Sequence, residues 1–422
     1  MTSERSCYVY IVPPGSTGFV TARRFRLSET PDGEPIGEFV YGRRYLERPD
    51  VVEFDPIELR LHHGALETAR MGGFFEAIRD AMPDYWGRCV IEHHSGRVRL
   101  EDFDYLIEAP DDRAGALGFG SDIEPLVPQC RFNRTLGLER IQSAADALIK
   151  DISGPIGSVA AQVEALLLLG TSMGGARPKA VMEGNGDLWI AKFGRPDDRW
   201  NQPRVEHALL NLARRYGLQV ADSRLATVGN RDILLVRRFD RDATVEGYRR
   251  HRMISALTLL RVGDAQADRS GWSYILLADE IRRVSASPEA DLHDLFRRMC
   301  FNAAISSLDD HPRNHAVIAK DRGWRLSPAY DLTPMPQIAI DRCDLAMICG
   351  RYGRYANRTN LLSEHGRFLL TKKQAVTVLN RVMDTVRSEW RAELRRTGVS
   401  EGDCTRIESA FLYAGLFNAI EA

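Results

Sequence analysis

The run Asp309-Asp310-His311-Pro312-Arg313-Asn314 is rich in side chains that can move protons or bind cations, and Asp331 follows 17 positions after Asn314. Between them, Ala316–Ala319 and Trp324–Leu326 flank Lys320-Asp321-Arg322-Gly323, which predicts a short hairpin. An Asp, an Asn five positions on, a hairpin and a second Asp together make a phosphoryl-transfer layout. The first Asp accepts or orients the proton of an acceptor hydroxyl, while the Asn and the second Asp hold Mg²⁺ on nucleotide phosphates through oxygen ligands. Taken alone, an Asp-rich turn serves as well to cap a helix and bind water.

Upstream lies Thr171-Ser172-Met173-Gly174-Gly175-Ala176-Arg177-Pro178-Lys179. Its glycines let backbone N–H groups approach phosphate oxygens, and Arg177 and Lys179 add charge. The run is neither a Walker A sequence nor GxGxxG, and a plain turn fits it equally. Lys192 closes a β-prone run and suits the α- and β-phosphates, and Glu206 opens the following helix as its potential partner. Each of these reads alone as a solvated side chain. Their order is what carries information: Gly-rich turn, strand Lys, helix Glu, apolar strand, Asp-x-x-x-x-Asn, hairpin, Asp.

These residues need elements to hold them. Cys7–Val12, Gly18–Phe25 and Gly37–Tyr41, separated by Pro-Pro-Gly and Pro-Asp-Gly, predict a small antiparallel sheet. Leu66–Glu92 reads as helical from the spacing of Phe74, Phe75, Ile78 and Met82. Gly154–Ser158 predicts a linker before a helix over Val159–Leu169. Lys179–Glu183 and Leu188–Phe193 flank Asn185-Gly186 as a hairpin. Val205–Tyr216 predicts a helix that ends at Gly217, and Ile233–Val236 predicts a strand. Beyond Arg241 the chain reads as mainly helical. Leu292, Leu295, Phe296, Met299 and Ala303 form one stripe, and a later helix opens on a Thr371/Gln374 capping box.

The whole chain has 422 residues, 44% hydrophobic and 27% charged, with 57 Lys and Arg against 58 Asp and Glu. Such a composition excludes disordered, collagen-like and coiled-coil classes, and near-neutrality argues against a bare electrostatic nucleic-acid binder. Seven scattered cysteines make no disulfide framework. The opening MTSERSCYVYIVPPG has no charged leader before an apolar core, and no apolar window is long enough to span a membrane. A cytoplasmic protein without membrane contact is expected.

The segments SMGGARPKA, WIAKFG, VRRFDR, DDHPRNH and LSPAYDL, with FFEAIRDAMPDYWGR and AGALGFG nearer the start, resemble the HipA family of bacterial serine/threonine kinases, toxins of HipBA-type toxin–antitoxin pairs. The resemblance covers most of the chain. It implies an α+β fold, with a protein-kinase-like core of β-rich N-lobe and helical C-lobe preceded by a small subdomain. The expected division is 1–150 for the subdomain and 151–422 for the core, its lobes meeting near residue 240. It implies ATP and Mg²⁺, with Asp309 and His311 catalytic and Asn314 and Asp331 as magnesium ligands. Ser172, Gly174, Gly175, Ala176, Lys179, Lys192 and Arg313 then belong to the nucleotide site, with Arg237, Arg238 and Phe239 as the hinge whose backbone holds adenine. Ser172 matches the serine that family members autophosphorylate, silencing the kinase.

The implied partners are a helix-turn-helix antitoxin of HipB type, operator DNA reached only through it, and a protein substrate, an aminoacyl-tRNA synthetase being the expected one. Arg313 stands where the family usually has Lys, and Arg237 replaces a frequent acidic residue; neither change removes a magnesium ligand. A kinase acting on a small molecule and a non-catalytic, nucleotide-binding corepressor both stay open at this level. His311-x-x-x-His315 has zinc-ligand spacing, but Pro312 between them speaks against a zinc hydrolase. The basic and aromatic run Arg351–Arg358 suits contact with a protein substrate, phosphate or nucleic acid, and suits a solvated loop as well.

Overall fold

The computed structural model describes residues 4–97, 100–128, 132–134, 137–151, 177–195, 197–336 and 341–418. The expected linker at 154–158, the helix at 159–169 and the glycine run at 171–176 lie outside them. The chain gathers into two compact units. One comprises Met1–Arg195, Arg237–Ile254 and Ile318–Gly323; the other comprises Pro196–Val236, Ser255–Val317 and Trp324–Ala422.

In the first unit β1 (Arg5–Ile11), β2 (Val20–Glu29), β3 (Pro35–Tyr41), β4 (Ala65–Thr68) and β5 (Leu117–Gly120) form an antiparallel sheet in the order β4-β3-β2-β1-β5. Register aligns Leu66, Phe39, Phe25 and Cys7 in one row across four strands. Directly opposed residues share a face, and this face is the core: Phe25, Phe39 and Cys7 are buried there, with the Phe74 ring 5.4 Å from that of Phe25. The helix expected over Leu66–Glu92 is corrected to a strand, a turn and two helices, Glu76–Asp80 and Tyr85–Ser95. The strand ends at Thr68, and after a 3-10 turn over Arg70–Gly72 the glycines Gly72 and Gly73 take left-handed backbone, with φ of 68° and 80°, which redirects the chain. Pro83 then interrupts the helix, and the Asp84 carboxylate restarts it by accepting the Gly87 N–H at 2.8 Å.

The same unit holds β6 (Asn133–Arg134), β7 (Lys179–Gly184) and β8 (Asp187–Phe193), where β6 runs parallel to β7 and β7 antiparallel to β8. Asn185 and Gly186, with φ of 55° and 80°, turn β7 into β8, as the dipeptide predicts. In the second unit β9 (Ser223–Val228) and β10 (Arg231–Arg237) form a hairpin. The helix Gln202–Tyr216 is capped by Asn201 and ends at Gly217, φ 100°. The stripe on Pro288–Ala304 is wholly buried. Lys372–Arg396 carries the expected capping box in both directions, and packs on the helix Gln202–Tyr216 through Tyr216 Oη to Val378 O at 3.3 Å. Among the described residues, no helix is long and apolar enough to cross a membrane.

The segment beyond Arg241 opens as strands rather than helix. The first unit contains the hairpin of β11 (Arg241–Thr244) and β12 (Gly247–Arg250), and β13 (Arg252–Ser255) follows. Charged residues hide this from a hydropathy reading, because ion pairs let them be buried. Arg238 is fully enclosed: Nη1 reaches both Asp112 oxygens at 2.7 Å, and Nη2 reaches Asp240 at 2.8 Å. Arg241 Nη1 lies 2.7 Å from Asp240 and 2.7 Å from Gly115 O. Burial works to raise the Asp240 carboxyl, but Arg238 and Arg241 outweigh it and hold the group well below the usual carboxylate range.

Stranding a charge in such surroundings costs about 3–5 kcal/mol. Asp112→Ala should lose that much in denaturant unfolding. Asp187→Ala, which removes a partly exposed partner of Arg237 at 2.9 Å, should lose no more than about 1 kcal/mol. Equal losses would contradict this account of the network.

Candidate active site

Helix Pro288–Ala304 runs out into a tight loop in the second unit, where Asn314 closes a single turn of 3-10 helix, Pro312–Asn314. His311 N donates to Asp309 O at 2.9 Å, and Asn314 N donates to His311 O at 2.9 Å. The Asn314 side chain is buried and its Nδ2 donates to Asp309 O at 2.9 Å, so the amide oxygen is the atom it can offer a cation. Tyr330 Oη donates to Arg313 O at 2.9 Å and so ties the residue before Asp331 to the same loop. Behind Tyr330, Ala329 N donates to Gln219 O at 2.8 Å. Asp331 itself has φ of 59°, a conformation that a non-glycine residue keeps only where its surroundings impose it.

The two aspartates feel each other. Asp309 is reached by solvent, yet the protein around it raises its carboxyl above the usual value; His311 opposes that rise and the Asp331 charge adds to it. Two carboxylates and an amide oxygen suit a hard divalent cation, and a cation would relieve the repulsion. Among the described residues, no three His, Cys, Asp or Glu side chains converge as a metal cage. Mg²⁺ does not require one, because it keeps waters and takes phosphate oxygens beside one or two carboxylates.

The loop rests on a buried polar network that sequence spacing does not reveal. Asp310 accepts from Tyr274 Oη and from His315 Nε2, the latter at 2.9 Å, and Asn302 Nδ2 donates to Tyr274 Oη at 3.1 Å. All four residues are buried. Only Asp310 lies in the motif, and nothing in the linear sequence marks Tyr274 or Asn302 as its partners. His315 is thereby committed to Asp310, whereas the His311 ring packs on Trp272 with centroids 6.3 Å apart. The zinc spacing therefore has a structural use. Arg313 Nη2 pairs with Asp264 at 2.8 Å.

Of the remaining expected site residues, Lys179, Lys192 and Arg237 lie on strands, Arg238 and Phe239 on the turn after β10, and Glu206 is buried in the helix Gln202–Tyr216. Lys192 is half-buried near the end of β8, directly opposite Lys179 in register. The Lys179 ammonium is buried against Asp84, and its carbonyl accepts from Trp86 Nε1 at 3.1 Å. The Arg238 side chain lies in the network with Asp112 and Asp240, and its N–H donates to Leu188 O at 2.8 Å. A ligand contact from that residue cannot use this N–H. Ser172, Gly174, Gly175 and Ala176 lie outside the described residues.

A carboxyl whose folded pKa is raised destabilises the fold where it is ionised, and the penalty fades as falling pH protonates it. Asp309→Asn should therefore raise the thermal midpoint in Mg²⁺-free buffer at pH 8. The gain should shrink on acidification toward about pH 4, the ordinary carboxylate range. A gain independent of pH would mean that the Asp331 charge and burial do not act on Asp309.

The family model of the HipA-like C-terminal domain matches residues 171–390. Two Sinorhizobium fredii proteins whose names class them as kinases are similar over shorter stretches. Y4mE is 29% identical over 130 residues, covering 30% of this chain and 31% of its own length, and Y4dM is 26% identical over 227 residues, covering 50% and 53%. The aligned parts thus span no more than about half of these relatives. The HipA of Shewanella oneidensis MR-1, solved with HipB and its operator DNA, superimposes with a TM-score of 0.67 at 16% identity, covering 96% of this chain and 94% of that one. That likeness shows a shared fold, so the expected α+β, kinase-like class stands. With the family model spanning just over half of its residues, the chain belongs to the HipA family.

Proposed function

We propose that this protein is an ATP- and Mg²⁺-dependent protein serine/threonine kinase, the toxin half of a HipBA-type pair. The observation that carries the reading is the meeting of Asp309, Asn314 and Asp331 in one unit: a carboxylate at a loop tip, an oriented amide oxygen and a second carboxylate that feels the first. Phosphoryl transfer asks little covalent chemistry of the protein and depends on positioning and charge. Asp309 takes the proton of the acceptor hydroxyl, His311 moderates its charge, and Asn314 and Asp331 hold the metal, which offsets charge on the phosphates. Lys192 is the proposed phosphate ligand, Lys179, Arg313, Ser172, Gly174, Gly175 and Ala176 are the further proposed nucleotide contacts, and the backbone at Arg237–Phe239 is the proposed adenine contact.

A HipB-type antitoxin is the proposed partner, a reading supported by the Shewanella HipA solved with HipB and operator DNA. DNA is reached only through it. The proposed target is a translation component such as an aminoacyl-tRNA synthetase, and the proposed setting is the cytoplasm. Residues 1–150 serve as the accessory subdomain and 151–422 as the kinase core. Phosphorylation of Ser172 silences the enzyme, since about −1.5 to −2 charges added beside the nucleotide phosphates repel them.

Asp309→Ala should abolish transfer of labelled phosphate to protein while ATP still binds in calorimetry; full transfer by this variant would refute the mechanism. Lys192→Ala removes a charge-assisted contact of about 1.5–3 kcal/mol, and should weaken ATP binding by about 10- to 150-fold. Mass spectrometry after incubation with Mg²⁺ and ATP should find phosphate on Ser172 in the wild type and none in Asp309→Ala. A clean Ser172 in an active enzyme would remove the self-silencing step.

A further inference from the structure

The basic and aromatic run Arg351–Arg358 has no part in the machinery above, and its three arginines are treated differently by their surroundings. Arg351 lies 3.5 Å from Glu364, and Arg358 Nη1 donates to Asn380 Oδ1 at 2.7 Å. Among the described residues, no carboxylate is bonded to Arg354. Its Nη2 donates to the backbone oxygen of Arg269, and its Nε is buried without an acceptor. Among the described residues no carboxylate is bonded to Arg269 either, and its Nε is likewise buried without an acceptor. The acid closest in charge to Arg354 is Asp344, which Arg342 already holds at 2.8 Å. Burial and the Arg269 charge both make the Arg354 proton easier to lose.

This pair of unneutralised guanidiniums is built into a scaffold. Leu345 N donates to Arg354 O at 2.9 Å, and Ile348 N donates to Trp272 O at 2.8 Å, so the segment bonded to Arg354 is fastened in turn to the chain just after Arg269. Trp272 is buried, its indole N–H fixed on Gly263 O at 3.0 Å. The Arg269 guanidinium stands 5.6 Å from its ring centroid, and the ring of catalytic-loop His311 is the other aromatic neighbour of that indole. Two like charges held together with no bonded carboxylate among the described residues, one residue away from the catalytic loop, suit an anion from outside.

We propose that Arg269 and Arg354 form a recognition site for an acidic segment of the protein whose hydroxyl is phosphorylated, a proposal that rests on the kinase reading for the identity of that protein. Carboxylates fit better than one phosphate. Arg354 has committed Nη2 to a carbonyl and buried Nε, so it cannot grip a phosphate in bidentate fashion, while two acidic side chains along a peptide meet the guanidiniums singly. Placed there, they would help bring the acceptor hydroxyl toward Asp309 and select against basic sequences by repulsion.

The test uses the full chain and fluorescein-labelled peptides with one Ser flanked by Glu, Gln or Lys, read by anisotropy at about 0.15 M salt, where screening leaves only close contacts. The Glu peptide should bind at least about tenfold tighter than the Gln peptide. Arg269→Glu and Arg354→Glu should each erase that preference and favour the Lys peptide, with Arg354→Lys retaining it and thermal midpoints showing each variant folded. Indifference of the wild type to peptide charge, or a preference that survives both swaps, overturns the proposal. So does a phosphoserine peptide of equal net charge that binds more than about tenfold tighter than the Glu peptide, because the site would then be one for phosphate. Anisotropy needs no turnover, so a Glu preference without labelled phosphate on any peptide supports the site and sinks the kinase reading instead.

Discussion

Asp309 and Asp331 are negative charges that the fold holds near one another, and much of the second unit opposes their separation. The Asn314 amide closes the loop onto Asp309 O, the Tyr330 hydroxyl ties the Asp331 segment to Arg313 O, and Asp331 occupies left-handed backbone. Repulsion between carboxylates is a cost that a fold carries without return unless a cation or a proton transfer uses it. A raised carboxyl at Asp309 and left-handed backbone at Asp331 suit a site that orients charge for phosphoryl transfer.

The support beneath the loop follows the same physics in reverse. Asp310 carries the same carboxyl group as its neighbour but is buried, so it must be satisfied, and Tyr274 and His315 satisfy it. A fully bonded buried carboxylate resists displacement, because moving it would leave acceptors unpaired in a medium that cannot solvate them. Adjacent residues therefore divide the work: Asp309 remains in touch with solvent and Asp310 anchors the backbone that presents it.

In the first unit, buried charge is used for architecture. Arg238, Arg241, Asp112 and Asp240 neutralise one another, and Lys179 is matched by Asp84. Against that background of pairing, Arg269 and Arg354 stand out in the second unit as charges held in place by a scaffold with no carboxylate bonded to them among the described residues. A residue that is paired stabilises its own fold. One that is held unpaired stores affinity for something else.

Local chemistry determined a good deal by itself. The Asn185-Gly186 turn, the Thr371/Gln374 capping box, the stop at Gly217 and the Leu292–Ala303 stripe depend on residues within a turn or two of each other, so spacing is enough to read them. The order of Asp309, Asn314 and Asp331 was legible for the same reason, since a tight loop and a short hairpin separate them. Long-range pairing was not. The strands from Arg241 on look polar, yet Arg241 is buried because Asp112 and Asp240 neutralise it and Arg250 because Asp111 does, and Asp111 and Asp112 lie more than a hundred residues away. The break at Pro83 is not legible in apolar spacing, which continues across it. Tyr274 under Asp310, and Arg269 beside Arg354, are partners that only the fold brings together. Burial of a charge depends on what faces it, and in this chain the facing group comes from a distant part of the sequence.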